Sequence, residues 1–435
     1  MNTTLQSTES LNEPDLAIQG FAPLLQDENV QFDLSGSRKG KFISISNNDR
    51  PIVNFLNWVF PYAASVKASD VQFSDVENGC AVRLCQENDQ FKRLALFTRD
   101  AGEDIRRKIC AMCSVEITNS ESIQQGSFFV IDEKEQKMID IRVSVLPTKF
   151  GCSIVCRILD QSNSGRSLDT VYMPDDVHQS VLQVLKQRQG MVIVSGPTGS
   201  GKTSTLYSFL NHLNTPDKHI MTAEDPVEYR LPGADQVNIH PHYRPFDQVL
   251  KAFLRQKPHI ILVGEIRDIE TAETAVTAAN TGHLLLSTVH ANDSLSTVIR
   301  LINLGVERFA LADALSAFFA QRLMNQLCPE CRQAIRLNTE EQAALKTRFP
   351  VATYYRRKLH GCEKCDYTGR SGRIPVMEFV ESNTKVRQAI LKGDFELLEQ
   401  AMLEQPQFRT LVEAGLQLSE QGLIDFYEAI ALGVR

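Results

Sequence analysis

The chain has 435 residues, 43% hydrophobic and 23% charged, with a net charge of −7 and a mean hydropathy of −0.20. These values fit a soluble globular protein of roughly two to four domains and exclude a fibrous or disordered chain, while the acidic balance argues against a general nucleic-acid binder, which needs a dense Lys/Arg surface. No apolar run approaches the roughly 18 residues of a spanning helix, the polar stretch from Met1 to Asp15 lacks a secretory-signal pattern, and the ten cysteines therefore point to reduced thiols or metal rather than disulfides.

Residues 1–50 show little periodicity and predict a flexible arm or docking segment. Over 51–160 the pattern predicts a small α+β domain, with helices from Pro51 to Val66 and Ala101 to Val115. Its strands are expected from Ala81 to Leu84, Ser127 to Ile131, Asp140 to Val145 and Ser153 to Leu159. A polar linker follows at 161–168. From there to 327, helices alternate with buried runs, the signature of an open, mostly parallel sheet. Its strands are expected from Met191 to Ser195, His219 to Ala223, Ile260 to Val263 and Leu284 to Thr288. Helices are expected from Thr203 to Asn214, Phe246 to Arg255 and Ile269 to Asn280. A cysteine-bearing element spans 328–372, and a helical region spans 373–435 with Gly415 and Gly422 as helix stops.

Chemistry gathers where those strands end, as it does in open α/β sheets. Gly196, Pro197, Thr198, Gly199, Ser200, Gly201, Lys202 and Thr203 form a Gly-x4-Gly-Lys-Thr loop between a strand and a helix, which Ser204 continues. Such a loop aims backbone N–H groups and the positive end of a helix at one point, where a phosphate chain binds. Lys202 then reaches the β and γ phosphates of ATP, and Thr203 ligates Mg²⁺. The strand from Ile260 to Val263 delivers Glu265 to the mouth of the sheet, in a Walker B arrangement suited to directing water. Asp268 fits an N-terminal helix charge better. Glu224, in the run Glu224 to Tyr229, is a second candidate for water or metal positioning; an exposed Asp-Pro turn is the plainer alternative. His290 follows the strand from Leu284 to Thr288, where it can sense a γ phosphate.

Cys328-x2-Cys331 and Cys362-x2-Cys365 have ligand spacing, and four thiolates suit a closed, structural Zn²⁺ site. Cys110 and Cys113 share that spacing but lack a second pair. With Cys80, Cys85, Cys152 and Cys156 they read as small core residues.

The ordered set Gly-Pro-Thr-Gly-Ser-Gly-Lys-Thr, Glu-Asp-Pro-Val-Glu-Tyr, Val-Gly-Glu-Ile-Arg-Asp and Thr-Gly-His with Ser-Thr-Val-His resembles the secretion ATPases of type II secretion and type IV pilus assembly. The resemblance implies a RecA-like P-loop ATPase domain in an α/β fold, with a smaller N-terminal α+β (PAS-like) domain and a tetracysteine zinc lobe. It implies a cytoplasmic homo-hexamer, peripheral at the inner membrane, that works on a platform protein of a pilus or secretion system without binding nucleic acid. It also implies a role for Arg142 and Arg157 at the γ phosphate, where forked donors neutralise charge, and the tetracysteine lobe favours fibre extension over retraction. The alternatives are a nucleic-acid translocase of conjugation type and a nucleotide-gated scaffold with weak hydrolysis. Several positions depart from the family pattern. Lys257 and His259 replace acids before the Walker B strand, Ser127 replaces an arginine, and Gln72 replaces a histidine. The first pair is expected to change charge in a wall of the site.

Overall fold

The chain divides into two units, Met1–Ser162 and Asn163–Arg435, and the computed structural model describes residues 34–35, 50–66, 68–86, 90–113, 122–132, 137–159, 167–239, 243–345 and 347–433. The expected arm over 1–50 and the linker over 161–168 lie almost entirely outside the described residues.

In the first unit, alternation of apolar and polar side chains builds one antiparallel sheet. Its strands are β1 (Leu34–Ser35), β2 (Asp70–Val76), β3 (Gly79–Gln86), β4 (Gln90–Phe97), β5 (Gln124–Asp132), β6 (Lys137–Thr148) and β7 (Gly151–Leu159), in the order β1-β5-β6-β7-β2-β3-β4. The helix Arg50–Ser65 repeats apolar residues at helical spacing, and Phe55, Val59, Phe60 and Ala63 enter the core with Ile105 and Ile109 of the helix Arg99–Met112. All six cysteines of this unit are buried, as small core residues should be. Strands β2 and β4 have no counterpart among the strands expected from sequence. In β2 only Val71 and Phe73 are buried, too few to mark a period of two.

The second unit is built on a seven-stranded sheet of β8 (Gly190–Ser195), β9 (Ile220–Glu224), β10 (Asp235–Asn238), β11 (Ile260–Val263), β12 (Leu284–Val289), β13 (Leu315–Leu327) and β16 (Arg370–Glu381). The order is β10-β9-β11-β12-β8-β13-β16, parallel throughout except that β16 runs antiparallel to β13. Every residue of β8, β9, β11 and β12 is buried. Helices cover both faces, which is why these strands read as continuous apolar runs.

Two expectations need correcting. The segment after 372 is not helical from its start, because β16 runs to Glu381 and completes the sheet; the helix Thr384–Lys392 begins only after it. Gly415 stops nothing. It lies inside the helix Leu411–Glu420, where a Cβ would come 2.9 Å from Leu432 and 3.2 Å from Ala429, so its small size serves close helix packing. Gly422, at φ 71°, does follow that helix's end. Between β13 and β16, the strands β14 (Gln333–Arg336) and β15 (Thr353–Arg356) pair as a small ribbon beside the cysteines.

Candidate active site and metal centre

The phosphate loop connects β8 to the helix Lys202–Leu213. Three of its glycines hold positive φ, 149° at Gly196, 78° at Gly199 and 84° at Gly201, a region that L side chains rarely adopt. A Cβ at Gly196 would lie 2.4 Å from the Gln321 carbonyl oxygen. The helix starts at Gly201, which has no side chain to cap the first N–H groups and leaves them facing the loop. Lys202 arches over this loop, its Nζ donating to the carbonyls of Gly196 at 2.8 Å and Pro197 at 2.9 Å. Burial lowers the Lys202 pKa; Glu265 works against that shift and Arg322 adds to it.

A cleft of about 480 Å³ runs along the carboxyl ends of the strands. Its walls include Thr198 to Lys202 of the loop, Thr203, Ser204, Glu224, Glu265 and His290, so the candidate residues of this part of the sequence other than Gly196 and Pro197 come together in one place. Glu265 is mostly buried and is flanked by Arg267, which pairs with its Oε1, and by His290, whose Nε2 stands 3.4 Å from Oε2. Asp268 caps the next helix, accepting from the Thr271 N–H at 2.8 Å. His290 also borders a second cleft of about 500 Å³ on the other flank of the loop, with Pro197, Asn292 and Arg300.

Glu224 is placed differently from Glu265. It is 3% exposed, and both its oxygens accept from the Tyr207 hydroxyl at 2.9 Å while Thr222 donates at 2.6 Å. Burial pushes its pKa up against those hydrogen bonds. Its carboxylate is thus tied into the wall, and the Asp225 next to it lines the same cleft.

Lys257 and His259 do not stand in a wall of this cleft. They precede β11 while Glu265 follows it, so the strand's length separates them from the site, and His259 Nδ1 instead accepts the His219 N–H at 2.9 Å. The expected change of charge at the site through these two residues is therefore not found within this unit.

Residues that local sequence gave no reason to choose support the loop from β13. Gln321, 1% exposed, donates from Nε2 to the Ser200 carbonyl and accepts from Thr205 Oγ1, both at 2.8 Å. Arg322 donates from Nη2 to the Asn292 carbonyl at 2.8 Å, next to His290.

Arg142 and Arg157 belong to the first unit, on β6 and β7, and are direct cross-strand partners. Ser127 is the partner of Arg142 on β5, and Asp70 is the partner of Arg157 on β2. The four positions form one row across the sheet. Arg157 is exposed and its Nε donates to Asp70 Oδ1 at 3.0 Å.

The sulfurs of Cys328, Cys331, Cys362 and Cys365 all lie within 4.8 Å of one another, so the four could hold a metal ion. The Cys328–Cys362, Cys331–Cys365 and Cys362–Cys365 separations are 3.8, 3.9 and 3.7 Å. A tetrahedron with metal–sulfur bonds of about 2.3 Å has an edge of roughly 3.8 Å. Backbone N–H groups of Cys362 and Gly369 each donate to Cys365 Sγ at 3.2 Å, the kind of support a thiolate ligand needs.

Sheet order, phosphate loop and acidic strand end together define a P-loop protein of the open α/β class. The chain belongs to the family described as Type II/IV secretion system protein, whose pattern it matches over residues 46–431. The type IV pilus assembly ATPase PilB of Pseudomonas aeruginosa is 36% identical over 420 residues, covering 95% of this chain and 71% of that protein. Type II secretion system protein E of Dickeya dadantii is 35% identical over 384 residues, covering 88% and 76%. The fold is shared with the pilus retraction motor PilT bound to ADP, at a TM-score of 0.64 and 23% identity over 87% of this chain and 97% of that one. Among the described residues, no helix is long and apolar enough to cross a membrane.

Proposed function

We propose that the chain is a Mg²⁺-dependent ATP hydrolase, the motor of a type IV pilus assembly or type II secretion machine. The observation that carries this reading is the convergence of the phosphate loop, Thr203, Glu265 and His290 on one cleft at the strand ends. Relatives named for pilus assembly and secretion over most of this chain support the choice of machine.

In this reading the loop's N–H groups and Lys202 hold the β and γ phosphates, the ammonium exchanging loop carbonyls for phosphate oxygens. Thr203 offers its hydroxyl to Mg²⁺, which supplies charge neutralisation on those oxygens when bound. Glu265, held by Arg267 and His290, accepts a hydrogen bond from the attacking water and aligns it with the γ phosphorus. As the bond from water oxygen to phosphorus forms, the bond to the β–γ bridging oxygen breaks and ADP leaves. His290 then reads whether the γ phosphate is present. Glu224 serves the wall, through Tyr207, rather than the water.

The second unit is then RecA-like and the first PAS-like. Setting aside the edge strands β1 and β4, the first sheet runs β3-β2-β7-β6-β5, an order of second, first, fifth, fourth and third along the chain, which supports that reading. Arg142 and Arg157 act on the γ phosphate, where their guanidinium groups neutralise charge. The tetracysteine lobe holds Zn²⁺ with no open ligand position, so the metal fixes structure. The protein works as a homo-hexamer in the cytoplasm, peripheral at the inner membrane, and moves a platform protein in the direction of fibre extension.

Two measurements test this reading. Phosphate release from Mg-ATP should be lost in Lys202→Ala, and the mass in solution with a non-hydrolysable ATP analogue should be that of six chains. A Lys202→Ala protein that hydrolyses ATP normally would refute the assignment of the site, and a monomer at micromolar concentration would refute the ring.

A further inference from the structure

Glu378 on β16 is 5% exposed and lies outside the residues lining the phosphate cleft. Its two oxygens bind the starts of two different helices. Oε2 accepts the Ser294 N–H at 2.8 Å, and Oε1 accepts the Leu411 N–H at 3.0 Å. Ser294 opens the helix Ser294–Asn303, a few residues beyond His290, and Leu411 opens the helix Leu411–Glu420. Each helix start offers N–H groups without intrahelical partners and a partial positive charge, which is what a buried carboxylate needs. Burial raises the Glu378 pKa, while the N–H groups of Ser294 and Leu411 oppose that shift.

The position of Glu378 gives this clamp its meaning. Its cross-strand partner is Ala320 on β13, directly before Gln321 and Arg322. Gln321 holds the phosphate loop through Ser200, and Arg322 holds the His290 loop through Asn292. One short stretch of the β13–β16 ladder therefore touches the phosphate loop, the His290 loop and the first turn of a C-terminal helix.

We infer that Glu378 is a positioning residue that ties the His290 loop to the helix Leu411–Glu420, so that nucleotide binding beside His290 changes the order of that helix. The inference rests on the reading of the cleft as an ATP site. Glu378→Gln keeps the side-chain volume but turns one acceptor into an NH₂ group that faces an N–H, so one of the two bonds is lost.

The test compares the full-length chain with Glu378→Gln by phosphate release and by hydrogen exchange over Leu411–Glu420, with and without a non-hydrolysable ATP analogue. The wild type should slow its exchange in that helix when the analogue binds. The variant should bind the analogue within about twofold of wild type, lose that exchange response, and show kcat reduced about tenfold at an unchanged KM, the scale of one buried hydrogen bond. A wild type that binds the analogue without any exchange response, or a variant that keeps both response and kcat, overturns the inference. Failure of the wild type to bind the analogue would instead overturn the ATP reading and the inference with it, an outcome visible before the variant is made. If Glu378→Gln does not fold, the wild-type exchange measurement decides alone: slower exchange over Leu411–Glu420 on binding the analogue supports the inference, and unchanged exchange overturns it.

Discussion

Gln321 and Ser200 are joined by a single hydrogen bond across the edge of the phosphate loop, Nε2 to carbonyl oxygen at 2.8 Å. The same amide accepts from Thr205 on the first turn of the following helix, so one buried side chain ties the phosphate loop to the start of that helix. Gln321→Ala should leave a buried hydroxyl and a carbonyl unpaired, costing about 1–3 kcal/mol of stability. Binding of a fluorescent ATP analogue should weaken about tenfold, because the loop is no longer held in its binding shape. Unchanged affinity would mean that the loop keeps its shape without this brace.

Arg142 and Arg157 give a prediction in which stability and activity separate. Arg157 is 64% exposed in its ion pair with Asp70, and such pairs contribute under about 1 kcal/mol. Arg157→Ala should therefore melt close to the wild type. If its guanidinium stabilises charge on the transferring phosphoryl group, kcat should fall by about 10³-fold or more, and Arg142→Ala should show a similar fall in kcat. Normal turnover in both variants would remove these arginines from the site.

The four cysteines predict one zinc per chain by elemental analysis. Cys331→Ser should lose it and lower Tm by roughly 5–10 °C, since a structural zinc site contributes several kcal/mol and each kcal/mol moves a domain of this size by about 2–4 °C. ATP binding in the separate cleft should persist. A wild type free of zinc, with the same Tm as the variant, would contradict the assignment.

Acid should act partly through Glu413. Burial alone would raise its carboxyl, but hydrogen bonds from Arg348 and from the Thr410 N–H bring it down to about 2 from 4.5. A folded-state pKa below the unfolded value means that the stabilisation is complete above about pH 5 and is lost as pH falls toward 2. Denaturant titrations should show the wild type losing more stability between pH 5 and pH 3 than Glu413→Gln does. Equal slopes would show that this pair does not set the acid limb.

Much of the site was legible in the sequence because its residues stand at the ends of short, fully apolar strands. The runs ending at Ser195, Val263 and Val289 have few other readings, and each delivers its motif to the same edge of the sheet. What could not be read depends on long-range pairing. The segment Leu315–Leu327 mixes apolar and polar residues without a clear period, and its antiparallel partner Arg370–Glu381 lies beyond the cysteine element. Nothing local marks either as a strand, so nothing local points to Gln321, Arg322 or Glu378. Glu224 shows the opposite limit: its place at a strand end was legible, but its engagement by Tyr207, seventeen residues away, was not. Lys257 and His259 are near Glu265 in sequence yet sit across a strand from it.

The most direct measurement of the central claim is the pairing of ATP binding with phosphate release in Glu265→Gln. The substitution keeps the side-chain shape but removes the carboxylate that directs water, so Mg-ATP should bind with an affinity close to that of the wild type while phosphate release falls at least about 100-fold. A Glu265→Gln protein that binds Mg-ATP and releases phosphate at the wild-type rate would contradict the account.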